Sequence, residues 1–269
     1  MDFRLGGKRA LVTGSSSGIG AAIARELAGE GVSVVIHGRD RERAEAVAAD
    51  IAARGVKSAV VLGEVTGDAD ADAIADGALA ALGGIDILVN SAGGVVTSGN
   101  PDWTDVSSED WLESFNLNVV STIRLAKKLT PGMIERGWGR IINISSVGGK
   151  MLSGRLHEYG SAKGAVDHVT SNLSRTLGPH GITVNAIAPG TVLTPMAERW
   201  IETVKQQNGW DCDFDEAERR YTTEWVEQPV PRLGRVEEIA AAAAFLASPR
   251  SDFTTGAIMR VDGGVLRAM

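Results

Sequence analysis

Residues 8–31 read KRALVTGSSSGIGAAIARELAGEG. A short apolar run is followed by a glycine-rich turn, and Ile19, Ile23 and Leu27 then recur every four residues, so the stretch predicts a strand, a turn and a helix. Gly14, Gly18 and Gly20 are spaced G-x3-G-x-G. This is not the G-x-G-x-x-G dinucleotide fingerprint, but it can do the same physical work. Glycines permit a tight turn and close backbone approach, and the helix start offers free N–H groups and a positive dipole end to a pyrophosphate.

The pattern repeats outward from this stretch. Strands are predicted at Val32–His37, Ser58–Leu62, Asp86–Asn90, Arg140–Ser145, Thr183–Ala188 and Ile258–Val261, with an Ala- and Arg-rich helix to Arg54 and another at Asp70–Leu82. Strands alternating with helices imply parallel pairing, so the expectation is an α/β chain with one doubly wound parallel seven-stranded sheet and helices on both faces. No repeat or linker divides residues 1–269, which are read as a single domain. Ligands of such sheets bind beyond the carboxyl ends of the strands. Gly14, Arg39, Glu64, Asn90, Ser146 and Pro189-Gly190 all follow predicted strands.

Composition narrows the function. The 269 residues, 43% hydrophobic and 23% charged, can bury a sizeable core. A net charge of −7 argues against a nucleic-acid surface. The lone Cys212 allows no internal disulfide. The opening MDFRLGGKRA lacks the apolar run of a secretory signal, and Ala240–Ala247 is too short to span a bilayer, so a soluble cytoplasmic protein without a membrane partner is expected. Asp68, Asp70 and Asp72 resemble a calcium loop, but Ala73 and Leu79 stand where Gly and Glu are needed. They read as a negatively charged helix start. His37, His157, His168 and His180 are scattered and read as structural or surface residues, leaving no metal site.

Residues 141–163, IINISSVGGKMLSGRLHEYGSAK, carry the chemistry. Ser146 falls at a strand end, and Ala162, Val166, Val169, Leu173 and Leu177 predict a helix from Tyr159. Positions four apart share a helix face, which places Lys163 beside Tyr159. A phenol has a pKa of about 10, and a nearby cation favours its ionised form. With Ser146 holding a carbonyl oxygen, the tyrosine could serve as acid toward a ketone or base toward an alcohol. None of the three carries a hydride. Tyr and Lys four apart also occur on helices without catalytic use, so the glycine turn decides the reading.

Together these segments resemble the short-chain dehydrogenase/reductase family over almost the whole chain. Thr13-Gly14-Ser15-Ser16-Ser17-Gly18-Ile19-Gly20 matches T-G-x3-G-x-G, and Asn90-Ser91-Ala92-Gly93 resembles N-N-A-G with Ser91 as a departure. Asn118 lies where the family's catalytic Asn falls, after the helix start Glu109-Asp110-Trp111. Ser146 precedes Tyr159 by the usual thirteen residues, Tyr159-Gly-Ser-Ala-Lys163 is Y-x3-K, Pro189-Gly190-Thr191-Val192-Leu193-Thr194 matches P-G-x3-T, and Val261-Asp262-Gly263-Gly264 resembles the closing strand. The resemblance implies a Rossmann-type fold. It implies Tyr159 as acid/base, Lys163 lowering its pKa and holding the nicotinamide ribose, Ser146 orienting the substrate oxygen, and Asn118 positioning a water. It further implies a nicotinamide cofactor at Gly14, Ser16, Ser17, Gly18, Ile19, Gly20, Arg39, Glu64, Val65, Asn90, Ala92, Gly93, Tyr159, Lys163, Pro189, Gly190, Val192 and Thr194, and a homotetramer. No metal is implied.

Gly38 stands where NAD-preferring members carry Asp, and Arg39 follows, so NADP(H) is favoured. NAD(H) stays open because Ser15–Ser17 carry no basic residue and Asp40 is near enough to pair with Arg39. Thr191–Gln228, the least regular segment, corresponds to the family's variable substrate lid, and Pro195–Gln228 is expected to be mobile without ligand. Its Trp200, Trp210, Trp225, Phe214 and Tyr221 point either to an apolar or aromatic substrate or to simple packing. Arg155 and His157 lie between Ser146 and Tyr159, where they could touch substrate, but read first as a solvated loop. The chain is thus expected to be a reversible carbonyl reductase or secondary-alcohol dehydrogenase acting on a small molecule. A 3-oxoacyl-carrier-protein reductase is the rival, disfavoured by Asp211, Asp213, Asp215, Glu216 and Glu218 against Arg219 and Arg220. A non-catalytic cofactor sensor is a third reading, set against four filled catalytic positions.

Overall fold

Strands covered by helices on both faces must be apolar on both faces, and the sheet strands here are short, mostly buried runs. The computed structural model describes residues 2–97, 102–151 and 156–267. Strands β1 (Arg9–Val12), β2 (Ser33–Gly38), β3 (Ser58–Leu62), β4 (Ile87–Asn90), β5 (Gly139–Ile144), β6 (Ile182–Pro189) and β7 (Ile258–Val261) form one parallel sheet in the order β3-β2-β1-β4-β5-β6-β7. The doubly wound seven-stranded expectation is met. The chain reverses its direction of winding between β1 and β4, which is where such sheets open a crevice for a ligand.

Alternation along the strands sorts the core. Ala10, Val12, Val34, Ile36, Ile87, Val89 and Ile142 pack with α1 (Gly18–Gly29), α2 (Arg41–Ala52) and α9 (Val236–Ala247). Leu11, Val35, Leu88, Ile141 and Val184 face α3 (Asp68–Leu82), α5 (Ser121–Arg136) and the end of α6 (His157–Leu177). A one-residue slip in any strand would exchange these faces, so the register is strongly specified.

Helix α3 begins at Asp68 rather than Asp70, with Asp68 and Asp70 in its first turn; Asp68 pairs with Arg124 and Asp72 with Lys128. Between α4 (Ser108–Phe115) and α5 the helix widens into a π turn, Asn116–Val120. Helix α6 begins two residues before Tyr159, after Leu156 at φ 53°.

The segment Thr191–Gln228, expected to be an irregular lid, departs most from expectation. Instead of irregular chain it forms α7 (Pro195–Gln207), α8 (Phe214–Arg220) and a π turn, Tyr221–Trp225. These enclose a small core of their own, in which Ile201, Val204, Ala217, Tyr221 and Leu233 are buried against Trp200, Trp210 and Phe214. Trp200 stacks on Trp225 with ring centroids 5.9 Å apart, and Tyr221 meets Trp225 edge-on at 5.5 Å. The rings pack on one another, which favours the packing alternative over an aromatic substrate.

Candidate active site

The turn between β1 and α1 is fastened to the end of β2. Ser15 N–H donates to the His37 carbonyl at 2.8 Å, His37 N–H donates to Ser15 Oγ at 2.9 Å, and Gly14 N–H donates to His37 Nδ1 at 3.2 Å. Because Nδ1 accepts, Nε2 carries the proton and donates to the Gly63 carbonyl at 3.2 Å. Burial lowers the pKa of His37 and favours this neutral ring. His37, read from sequence only as structural or surface, therefore shapes the glycine turn; its partner lies twenty-three residues away, beyond any sequence signal.

A Cβ on Gly20 would stand 2.5 Å from the Gly14 carbonyl, so glycine is required where the turn closes on α1. Ser17 gives α1 no side-chain cap. The first N–H groups of the helix beside Ser16, Gly18 and Ile19 are thereby left for an anion such as a pyrophosphate, and these residues fit the cofactor implied by sequence. Thr194 reaches the same place from the lid: its Cγ2 would lie 3.6 Å from a Cβ on Gly18, and its Oγ1 caps α7 by accepting from Ala197 N–H at 3.2 Å.

At the end of β2 a Cβ on Gly38 would lie 2.6 Å from Ser16 Oγ, so a side chain there would have to displace Ser16. Arg39 is largely exposed and pairs with Glu64 at 3.2 Å. The Arg39–Asp40 pair that would have kept NAD(H) open is not formed, because Asp40 caps α2 through Arg43 N–H and binds the Arg43 guanidinium at 3.1 Å. Val65 is buried next to Glu64.

Beyond β4, Thr13 Oγ1 accepts from Ser91 N–H at 3.0 Å and Ala92 N–H at 2.9 Å, tying that loop to the glycine turn. Asn90 is buried and donates to Asn143 Oδ1, and Asn143 donates to Thr170 Oγ1, both at 2.9 Å. This chain of amides joins β4, β5 and α6. The Ser91 departure leaves it untouched.

Asn118 sits in the π turn, and its amide is fully engaged. Oδ1 accepts from Gly94 N–H at 3.0 Å, while Nδ2 donates to the Gly94 carbonyl at 2.9 Å and the Ser114 carbonyl at 3.0 Å. A Cβ on Gly93 would fall 2.7 Å from Asn118 Oδ1 and 3.3 Å from Lys163 Nζ. The loop after β4, the π turn and α6 thus converge on one point.

Lys163 is buried there and donates from Nζ to the Ile144 carbonyl at 2.9 Å. Burial lowers its pKa to about 8. The Nζ stands 5.6 Å from the centre of the Tyr159 ring. Ser146 Oγ accepts from Gly148 N–H at 3.0 Å, and the Ser146 hydroxyl lies near enough to Tyr159 to favour its ionised form. The expectation that Lys163 pulls the phenol down is not met in this geometry. Burial pushes Tyr159 up, and the opposing influence is the Ser146 hydroxyl.

One neighbour escaped the sequence reading and another was placed differently by it. Glu158 is fully buried immediately before Tyr159, and its Oε1 accepts from Thr97 Oγ1 at 2.8 Å. His157 is the first residue of α6 and meets Trp103 edge-on, with ring centroids 6.3 Å apart, rather than lying in a solvated loop. Arg155 lies outside the described residues. Pro189 ends β6, Gly190 packs on Asp262, and buried Val192 bridges to Gly234.

Comparison with known proteins agrees with this geometry. A family model described as enoyl-(acyl carrier protein) reductase matches residues 14–266. The chain is 35% identical to gluconate 5-dehydrogenase of Gluconobacter oxydans, over 98% of this chain and 96% of the relative. It is 37% identical to the 3-oxoacyl-[acyl-carrier-protein] reductase FabG of Pseudomonas aeruginosa, over 97% and 98%. Its backbone superposes with a TM-score of 0.93, at 33% identity and full coverage of both chains, on the crystal structure of L-sorbose reductase from Gluconobacter frateurii complexed with NADPH and L-sorbose. With its parallel sheet, glycine turn and serine–tyrosine–lysine cluster, the chain belongs to the short-chain dehydrogenase/reductase family and is an NAD(P)-dependent oxidoreductase of ketones and secondary alcohols.

Proposed function

We propose that the protein is an NADP(H)-dependent reductase of a small ketone, reversible toward the secondary alcohol, with Tyr159 as the catalytic acid/base. The observation that carries this reading is the convergence of Ser146, Tyr159, Lys163 and Asn118 on one point beyond β5. The nicotinamide cofactor, when bound, supplies or accepts the hydride. The chain's own residues do the rest. The Tyr159 hydroxyl, kept protonated by burial, is placed to donate to a carbonyl oxygen, and Ser146 Oγ orients that oxygen. Lys163 supplies a fixed positive charge where negative charge develops. Asn118 holds the loop at Gly93 and Gly94 in place, so its contribution comes through positioning.

The preference for NADP(H) is supported by Gly38, which leaves the end of β2 without an acid, and by Arg39, whose guanidinium is exposed beside it. L-sorbose reductase, similar over its full length, carries NADPH. We further read residues 1–269 as one domain with a lid over about 191–228, and the protein as cytoplasmic. No described helix is long and apolar enough to cross a membrane. A homotetramer is supported by Leu112, Val120 and Ile123, large apolar residues exposed along α4, the π turn and α5.

The 3-oxoacyl-carrier-protein alternative has a relative in its favour. Against it, Glu216 engages Arg219 at 2.7 Å and Arg220 at 3.1 Å, neutralising the basic groups of α8 that an acidic carrier would seek. A panel of ketoses, other ketones and acyl thioesters followed by NADPH absorbance separates the two. Tyr159→Phe should keep cofactor affinity within a few-fold while turnover falls by roughly 10²–10⁴. Near-normal turnover in that variant would defeat the mechanism.

A further inference from the structure

We propose that Asp167 is the internal counter-ion of Lys163, a positioning residue that keeps the lysine ammonium charged at neutral pH. The proposal rests on the reading of Lys163 above. Asp167 lies one turn beyond Lys163, on the same face of α6. Both of its carboxylate oxygens are shielded from solvent, and neither completes a hydrogen bond with good geometry among the described residues. Its backbone carbonyl is used separately, by Ser171 Oγ. A carboxylate stripped of water, with the Ser145 hydroxyl as its one neighbouring neutral donor and that hydroxyl already turned to the Lys163 carbonyl, is costly and finds compensation in nearby positive charge.

The surroundings supply that charge from two elements. Lys163 faces Asp167 from α6, and Lys150 faces it from the end of the short helical turn after Ser146. Ser145 is the neutral neighbour, its hydroxyl donating to the Lys163 carbonyl at 3.2 Å. Burial pushes Asp167 up, and Ser145, Lys150 and Lys163 all favour its ionised form. Reciprocally, burial lowers Lys163 while Asp167 raises it. The two side chains form no direct salt bridge among the described contacts. Asp167 therefore acts through its field and leaves Nζ free to hold the Ile144 carbonyl beside Gly93.

The test is NADPH binding to the full-length protein, followed by nicotinamide fluorescence from about pH 6 to about pH 9.5, a span chosen to cover the ordinary histidine value and most of the descent to lysine. Wild-type affinity should fall as Lys163 loses its proton near pH 8. Asp167→Asn should move that midpoint down by roughly one pH unit, and Asp167→Glu should restore it. In a Lys163→Met background the step should be absent, and Asp167→Asn should add nothing. An unmoved midpoint in Asp167→Asn, with the step abolished by Lys163→Met, overturns the counter-ion. A Lys163→Met enzyme that keeps the pH step, affinity and turnover overturns instead the reading of Lys163. Thermal melts cover the case of poor folding: Asp167→Asn should lower Tm when Lys163 is present but not in the double variant, where position 163 carries no charge to balance. Failure to fold in both backgrounds would make Asp167 a structural residue and end the proposal.

Discussion

Lys163 and Ile144 are joined by a 2.9 Å hydrogen bond from the buried ammonium to a main-chain carbonyl at the end of β5. The bond spans α6 and the sheet, yet it leaves the lysine poorly solvated, which is why its pKa falls from 10.5 to about 8. A protonated lysine is thus disfavoured in the fold relative to the unfolded chain. The cost is full below about pH 8 and fades as pH rises toward 10.5. Relief of this cost in Lys163→Met is worth up to about 3 kcal/mol to the cofactor-free protein at pH 7, at 1.36 kcal/mol per pKa unit, less what Asp167 and the Ile144 carbonyl lose with their partner. The gap should close as pH approaches 10.5, while turnover is lost. Calorimetric melts at several pH values check both signs.

His37 offers a pH dependence of its own, on the acid side. Its neutral ring accepts from Gly14 N–H, and burial depresses its pKa below the ordinary 6.5. Stability from this neutral ring is present above pH 6.5 and lost as pH falls through the lower folded value. Stability and cofactor affinity should decline together there, since protonation sets N–H against N–H in the glycine turn. His37→Leu should remove this acid dependence and cost about 1–3 kcal/mol by leaving Gly14 N–H without its acceptor. Equilibrium denaturation across this pH range, with and without NADPH, measures it.

Arg39 and Glu64 form an ion pair at 3.2 Å that a 2′-phosphate bound by Arg39 would have to break. An exposed ion pair contributes little by itself, but on the proposed NADP(H) reading Glu64 would compete with the 2′-phosphate for the same guanidinium. Arg39→Ala should weaken NADPH binding by roughly tenfold or more while changing NADH by much less. Glu64→Gln should tighten NADPH. Fluorescence titration of each variant with both nucleotides decides, and equal losses for the two cofactors would exclude a phosphate-reading role for Arg39.

What the sequence disclosed follows the physics of each region. The sheet was legible because its strands are apolar runs closed by glycines, asparagines or a proline, and those boundaries fell within a few residues. Ser146, Tyr159 and Lys163 were legible because two of them share one helix and the third ends the neighbouring strand. The contacts of His37 with Gly14 and of Glu158 with Thr97 were not, since they join residues 23 and 61 positions apart. Nor was the π turn around Asn118, a feature of backbone geometry without a residue signature. The lid was misread because its acidic residues drew attention from Ala197, Ile201 and Val204, which recur at helical spacing and are all buried.

That lid yields the last prediction. Its anchor is Glu218, buried on α8, whose Oε1 accepts from Leu233 N–H at 3.1 Å and from the Arg235 guanidinium at 2.6 Å. Leu233 belongs to the lid's small core, and Arg235 caps α9, so one carboxylate ties lid to body. With its helices packed on one another, the lid should move as a unit rather than fold on binding. Amide exchange within α7 and α8 should be slow even without ligand, and ligand should slow it chiefly at the joints near Thr191–Thr194 and Glu227–Gln228. Glu218→Ala leaves the Leu233 N–H and Arg235 without their acceptor, a loss of about 1–3 kcal/mol. In that variant exchange should rise across α8 and the following π turn, and KM for the carbonyl substrate should increase more than the cofactor Kd. Fast exchange throughout α7 and α8 in the wild-type protein would show that the lid core does not hold without ligand.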